Sequence, residues 1–333
     1  MKQKIIRMWI VYFALAYFGS SVVAQTAPID VDTLTDTRPL ELETCSANST
    51  SLSQTPNLNF KNQCHAASLL DEISFLFSLV GSKQPQDFGV NANLGGNASV
   101  NWGIPVFKEF GIGAQVGTGI TASSNAVRVY ELLGESTGRT QSFTTIGLFQ
   151  RTESDFAWGF VHDFLYEKSF DSFHLGQWRI RGSYLITSNN EVGVTSTLQS
   201  YSDNGTFGND TQVTLNPIDQ GSMYYRRFWG TGAQTTAWFG IADKHGENNV
   251  VTGPSPIKKV PFLFGADVLM PLTSSLVIYG ETNMIMPSDT GSVDAFLGVQ
   301  WYPGGRAFRA RRGKYSPLMS LASPTSFAVD LAQ

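Results

Sequence analysis

Residues 173–201 set the pattern. The stretch reads Phe-His-Leu-Gly-Gln-Trp-Arg-Ile-Arg-Gly-Ser-Tyr-Leu, a polar turn at Thr187 to Asn190, then Glu-Val-Gly-Val-Thr-Ser-Thr-Leu-Gln-Ser-Tyr. Side chains on a strand alternate between faces. Trp178, Ile180 and Tyr184 then share one face, and Gln177, Arg179, Arg181 and Ser183 the other. Val192, Val194 and Leu198 oppose Glu191, Thr195, Thr197 and Gln199 in the same way. Each arm is about eleven residues, whereas ordinary strands run about five or six; a tilted strand crossing a bilayer needs about nine to eleven.

The alternation recurs along the chain. It predicts strands over residues 72–80, 87–102, 111–122, 141–151, 156–166, 173–185, 191–201, 220–229, 231–242, 258–270, 275–286 and 292–302. Residues 72–80 also fit a helix with Leu69, Ile73, Leu76 and Val80 on one side, and so short a run leaves the choice open on periodicity. An even strand count returns the chain to its starting side, which favours the strand. Gly95-Gly96-Asn97 offers a turn, but face parity is unbroken across it, so one long strand is expected. His162 falls on an aromatic face with Trp158, Phe160 and Phe164, where alternation alone does not explain it. The connections alternate in length. Short turns fall near 104–110, 152–155, 186–190, 230 and 271–274. Longer ones fall at 81–86, 123–141, 167–173, 202–218, 243–257 and 286–291.

The expected fold is therefore all-β: a closed antiparallel transmembrane β-barrel of about twelve strands, with short periplasmic turns and longer extracellular loops. Inward glycines on the 111–122 strand make room for bulky neighbours or a narrow lumen. A soluble β-sandwich also alternates, but its strands are shorter and its aromatics share one core.

Composition agrees. Charged residues are 15%, net charge is −4, and glycine numbers 32, which suits a barrel better than a charged soluble domain. No basic patch of the nucleic-acid kind stands in the body. Lys2, Lys4 and Arg7 precede an apolar run from Met8 to Phe18 and small residues at Val22, Val23 and Ala24, so residues 1–24 read as an export signal. Residues 25–71 read as a flexible arm, 72–302 as the barrel and 303–333 as a C-terminal tail. The two cysteines, Cys45 and Cys64, permit a disulfide in an exported protein and fall short of a metal set, so no metal and no cofactor are expected. The tail opens with Arg306, Arg309, Arg311, Arg312 and Lys314 and reads as a solvated segment able to touch anionic headgroups.

With its export signal, alternating strands and short-turn, long-loop rhythm, the chain resembles bacterial outer-membrane β-barrel proteins of porin-like type over residues 72–302. It departs from them in continuing about thirty residues beyond Trp301 and Tyr302, the aromatic close such barrels end on. The resemblance implies an outer-membrane location, a lipid bilayer as partner, and passage of small polar solutes or ions; it permits a homo-oligomer.

The inward polar set carries the candidate chemistry. Gln115, Gln177, Arg179 and Arg181, with one of Arg226 and Arg227, lie on early and middle strands; Asp267, Glu281 and Asp294 lie on three successive late ones. In a closed barrel of twelve these groups face each other as a basic and an acidic wall, giving a transverse field that orients polar solutes. A salt-bridged interior that only braces the barrel stands beside that reading, because inward charges pair. No nucleophile elbow, metal-ligand cluster or phosphate loop is present, and the expectation is not an enzyme. A closed structural or surface-binding barrel without transport, and a secreted soluble binding module, are the alternatives.

Overall fold

The computed structural model describes residues 72–83, 93–125, 137–207, 211–243, 248–249, 253–254, 261–286 and 292–332. The export signal, the arm and Cys45–Cys64 lie outside them. The strands are β1 (Ile73–Lys83), β2 (Asn93–Phe107), β3 (Ile112–Asn125), β4 (Gly138–Arg151), β5 (Phe156–Lys168), β6 (Ser172–Thr187), β7 (Asn190–Tyr201), β8 (Asp203–Phe207), β9 (Thr211–Pro217), β10 (Gln220–Phe228), β11 (Gln234–Ala242), β12 (Asn248–Asn249), β13 (Gly253–Pro254), β14 (Phe262–Pro271), β15 (Leu276–Met286), β16 (Val293–Trp301) and β17 (Val329–Ala332).

Twelve of them, β1 to β7, β10, β11 and β14 to β16, form one closed antiparallel barrel. Each pairs with its neighbour in chain order among the twelve, and β1 closes on β16 with Phe75 opposite Trp301 and Lys83 opposite Val293. Closure leaves no unpaired edge. The first segment is a strand and not a helix: Phe77 and Leu79 are exposed on the outer wall, while Ser74 and Ser78 are buried inside. β2 runs straight through Gly95–Asn97 and ends at a register shift between Pro105 and Phe107, followed by a 3₁₀ turn at Lys108–Phe110 and Gly111 at φ 65°. In the short β4–β5 turn, Asp155 stands at φ 63° and Thr152 N–H donates to Phe156 O at 2.8 Å.

The outer wall is bare hydrocarbon and aromatic surface. Leu94, Ile120, Phe164, Phe239, Phe264 and Leu297 are all exposed. Trp178, Phe262 and Val299 face outward rather than into a core shared by two stacked sheets, which removes the soluble-sandwich alternative. Trp102, Trp158, Trp229 and Trp301 lie on strand ends or turns at the short-turn end, where an interfacial aromatic girdle would sit. His162 is also on the outer face. Its ring packs edge-on to Trp178 at 4.3 Å and against Phe164 at 4.2 Å, and Nε2 shares a 2.8 Å hydrogen bond with Ser200 Oγ across Gly176, which leaves room for both.

Two stretches expected to be loops are structured. Residues 202–218 hold the β8–β9 hairpin, and β17 adds to it to make a three-stranded sheet. The period-two burial of Phe207, Val213 and Leu215 drives this, beneath a surface rich in Asn, Asp and Thr. β4 begins at Gly138, three residues before the expected Gln141, and so carries Arg139 into the interior, where it is bidentate to Glu167 at 2.9 and 3.0 Å.

Candidate functional site

The interior is where the structure departs most from expectation. The tail, expected to be solvated, runs inside the barrel. After Trp301 the chain bends at the short-turn end, where Tyr302 N–H donates to Ser275 O and Ala307 N–H to Ser274 O. Arg306 and Ser316 both bond the Glu72 carboxylate at the start of β1. The chain then ascends the lumen as residues 311–328 and ends as β17 at the long-loop end, with Val329 opposite Pro217.

Inward side chains hold the ascending segment by its backbone. Gln115 Nε2 donates to Met319 O at 2.8 Å, and Met319 N–H returns a bond to Gln115 Oε1 at 3.3 Å. Asn101 adds a third bond, to the same carbonyl, at 3.1 Å. Arg179 donates to Ser320 O at 2.9 Å, Arg181 to Leu318 O at 3.4 Å, and Gln177 to Ser326 O at 3.0 Å. Ala322 N–H donates to Thr145 Oγ1 at 3.0 Å. Buried peptide groups need partners, and the lumen wall supplies them.

Apolar packing holds the two ends. Phe327, Ala322 and Val329 join Phe143, Leu165, Phe173 and Leu215 in a cluster beneath the β8–β9 hairpin. Leu318 packs with Phe149 and Ala157. Glycines on the wall are the seat. A Cβ on Gly117 or Gly119 would lie 2.8–2.9 Å from the Leu321 methyls, and one on Gly159 would lie 3.0 Å from Leu318 and 3.1 Å from Met319. These inward glycines make room for the chain's own tail.

Every expected site residue points inward. Gln115, Gln177 and Asp294 are fully buried; Arg179 is 4% and Asp267 8% exposed. The structure does not leave them as two bare walls. Arg179 is bidentate to Asp163 on the next strand, with Nη2 at 2.9 Å from Oδ1. Arg181 lies over the Tyr224 ring, donates to its hydroxyl at 2.9 Å and reaches Glu191 at 3.4 Å. Tyr224 donates to Glu191 at 2.6 Å. Arg226 is the inward member of its pair, 3.4 Å from Glu191 and 4.0 Å from Asp267, while Arg227 stacks outside on Trp229. Glu281 accepts the hydroxyls of Tyr279 and Thr325. Asp294 accepts the Ser82 hydroxyl near the long-loop end. The nearer cation for Asp267 comes from the tail: Arg311 Nη1 donates to Oδ2 at 2.9 Å. Neighbouring strands and the tail thus divide much of this charge into local pairs, the bracing arrangement that stood beside the transverse field.

The tail does not fill the lumen. A cavity of about 180 Å³ lies beside it, lined by Thr195, Tyr224, Arg226, Thr236, Asp267 and Glu281 among others. Most of the bonds to the tail's backbone come from β2 to β6, Gln234, Asp267 and Glu281 reach it from β11, β14 and β15, and the open space is lined by β1, β2, β6, β7, β10, β11 and β14 to β16 together with the tail. Sequence reasoning missed Asp163, Glu191, Tyr224 and Glu72 as partners of the named charges; Asp163 and Glu191 were visible as inward carboxylates on strands beside Arg179 and Arg181.

Together these features define a closed twelve-stranded barrel with an apolar outer wall and a lumen occupied by its own C-terminal segment. The chain belongs to a family of unknown function, DUF6666, whose model matches residues 72–329. That span takes in the tail as far as Val329. No protein of curated function matches. Among solved structures, the β-domain of the Bordetella autotransporter BrkA is similar at 12% identity and TM-score 0.41, over 69% of this chain and 97% of that one. The KdgM porin in complex with disordered oligogalacturonate is similar at 8% and 0.39, over 68% and 98%. Outer membrane phospholipase A from Escherichia coli is similar at 9% and 0.38, over 68% and 95%. The barrel itself rests on the strand register and not on these likenesses.

Proposed function

We propose that the protein is an outer-membrane barrel whose polar lumen conducts small polar solutes or ions when its C-terminal tail leaves, and is shut while the tail is in place. The carrying observation is the mode of attachment: most of the tail's hydrogen bonds come from inward side chains on β2 to β6, the Arg306–Glu72 and Arg311–Asp267 ion pairs anchor its start, and polar space is left beside it. A segment serving only as core would be expected to pack on all sides, as interiors do. With the tail out, Glu72 and Asp267 lose their tail partners and Arg151 its tail carbonyls, while Arg179 keeps Asp163 and Arg181 and Arg226 keep Glu191, so the space left is lined by polar groups, part of them unpaired. The apolar outer wall supports a bilayer as the barrel's solvent.

Planar-bilayer recording tests this. The intact protein is expected to be silent or to open rarely. The full-length Leu321→Asp variant, which places a charge against Gly117 and Gly119, is expected to show discrete openings. Silence in the variant, once its insertion and fold are verified, would leave a closed structural barrel as the function.

A further inference from the structure

The wall that holds the tail recognises main chain. Gln115 both donates to and accepts from one residue of the tail, as a neighbouring strand would. Arg179 and Gln177 bond carbonyls, and Thr145 accepts an amide N–H. None of these bonds involves a side chain of the tail, so a peptide of another sequence that follows the same path can make the same set. Recognition of this kind draws affinity from backbone bonds and specificity from a few side-chain pockets.

Two such pockets exist. Gly117 and Gly119 clear a notch for Leu321. Asp267 takes Arg311, whose backbone stands at φ 63°, a left-handed conformation uncommon for a residue with a Cβ. The Asp267 ion pair and the bond from Arg151 Nη2 to Arg311 O at 3.0 Å hold it there. A further observation points to an exchangeable occupant. Asp267 is 8% exposed, lines the cavity beside the tail, and its Oδ1 receives no hydrogen bond among the described residues. The tether, Pro303 to Gly305, is exposed.

We infer that the lumen is a receptor for a peptide segment carrying a basic residue and, further along, an apolar one, and that the tail is its tethered, displaceable occupant. The inference rests on the reading above only in requiring that the tail can leave; it names what takes its place.

The test keeps the full chain. A protease site is inserted between Gly304 and Gly305, the protein is folded into detergent micelles, and the tether is then cut. A labelled synthetic peptide of residues 306–332 is added and its anisotropy followed. The expected result is exchange: the labelled peptide enters as the cut tail leaves. Unlabelled peptide competes for entry, and the Arg311→Glu peptide competes at least about tenfold more weakly. Pairing the Arg311→Glu peptide with an Asp267→Arg barrel is expected to recover most of that loss, a rescue that general destabilisation would not give. A cut tail that never exchanges with excess peptide while the barrel stays folded would overturn the inference. So would equal competition by the Arg311→Glu peptide or by an acidic peptide of the same length. Bilayer recording on the cut protein separates the two claims. Exchange without conductance removes the transport reading and leaves the receptor; conductance without exchange does the reverse.

Discussion

The two walls of the lumen follow one sequence rule and do different things. On β2 to β6, inward positions alternate glycine with hydrogen-bonding side chains: Gln115, Gly117 and Gly119 on β3, Gly159 and Asp163 on β5, Gln177 and Arg179 on β6. The glycines let the tail come close, and the polar groups meet its backbone. On β10 to β16 the inward positions are larger: Tyr224, Arg226, Asp267, Tyr279 and Glu281. Many of these bond sideways to one another, and open space stands before them. Polarity alone does not separate the walls. Closeness of approach does: the glycines of β3 and β5 bring the tail against the wall, whereas from β11, β14 and β15 it is met by the longer side chains of Gln234, Asp267 and Glu281.

The largest effect is expected where a buried charge loses its partner on the seating wall. Asp163→Ala strands Arg179, and should lower the unfolding free energy by about 3–5 kcal/mol in urea titrations. A loss under about 1 kcal/mol would mean that Arg179 is held by the tail carbonyl and not by its strand neighbour. Next comes the notch. Leu321→Ala removes the group that Gly117 and Gly119 accommodate, and should cost about 2–3 kcal/mol by the same titration. It should also raise open probability in bilayers, an effect with no counterpart for an outward Leu297→Ala change on the other wall.

Arg311→Gln removes the nearer cation of Asp267, leaving Arg226 at 4.0 Å and the seat intact. It should cost about 1–3 kcal/mol and loosen the short-turn half of the tail first, read as faster amide exchange at residues 311–317 than at 320–327. Uniform loosening would show that the two walls act on the tail as one unit. The smallest effect belongs to Arg312, which reaches Ser188 O at 2.7 Å from an exposed position; Arg312→Ala should change stability by no more than about 0.5 kcal/mol.

The barrel was legible because its signal is local. Each strand declares its faces by alternation, so Gln115, Gln177, Arg179, Arg181, Asp267, Glu281 and Asp294 could all be placed inside from parity alone. Which of Arg226 and Arg227 turned inward needed the register. The tail was not legible, for a physical reason. Arg306 to Lys314 has the composition of a solvated segment, and its partners lie far away in sequence: Met319 meets Gln115, and Arg311 meets Asp267. No periodicity marks a chain whose backbone, rather than its side chains, is what the wall binds. The one trace was the set of inward glycines on β3, which implied a bulky neighbour without naming it. The β8–β9 hairpin was hidden in the same way, since its core joins Phe143, Leu165 and Phe173 of the barrel with Phe327 and Val329 from the far end of the chain.

The account turns on the tail lying inside the lumen, and thiol accessibility reads that directly. In a full-length background with Cys45 and Cys64 replaced by serine, Ser320→Cys sits beside Arg179 in mid-lumen, and Gly304→Cys sits in the exposed tether. A bulky maleimide should label Gly304→Cys readily and reach Ser320→Cys only after the barrel is unfolded. Equal labelling of both in the folded protein would contradict the account.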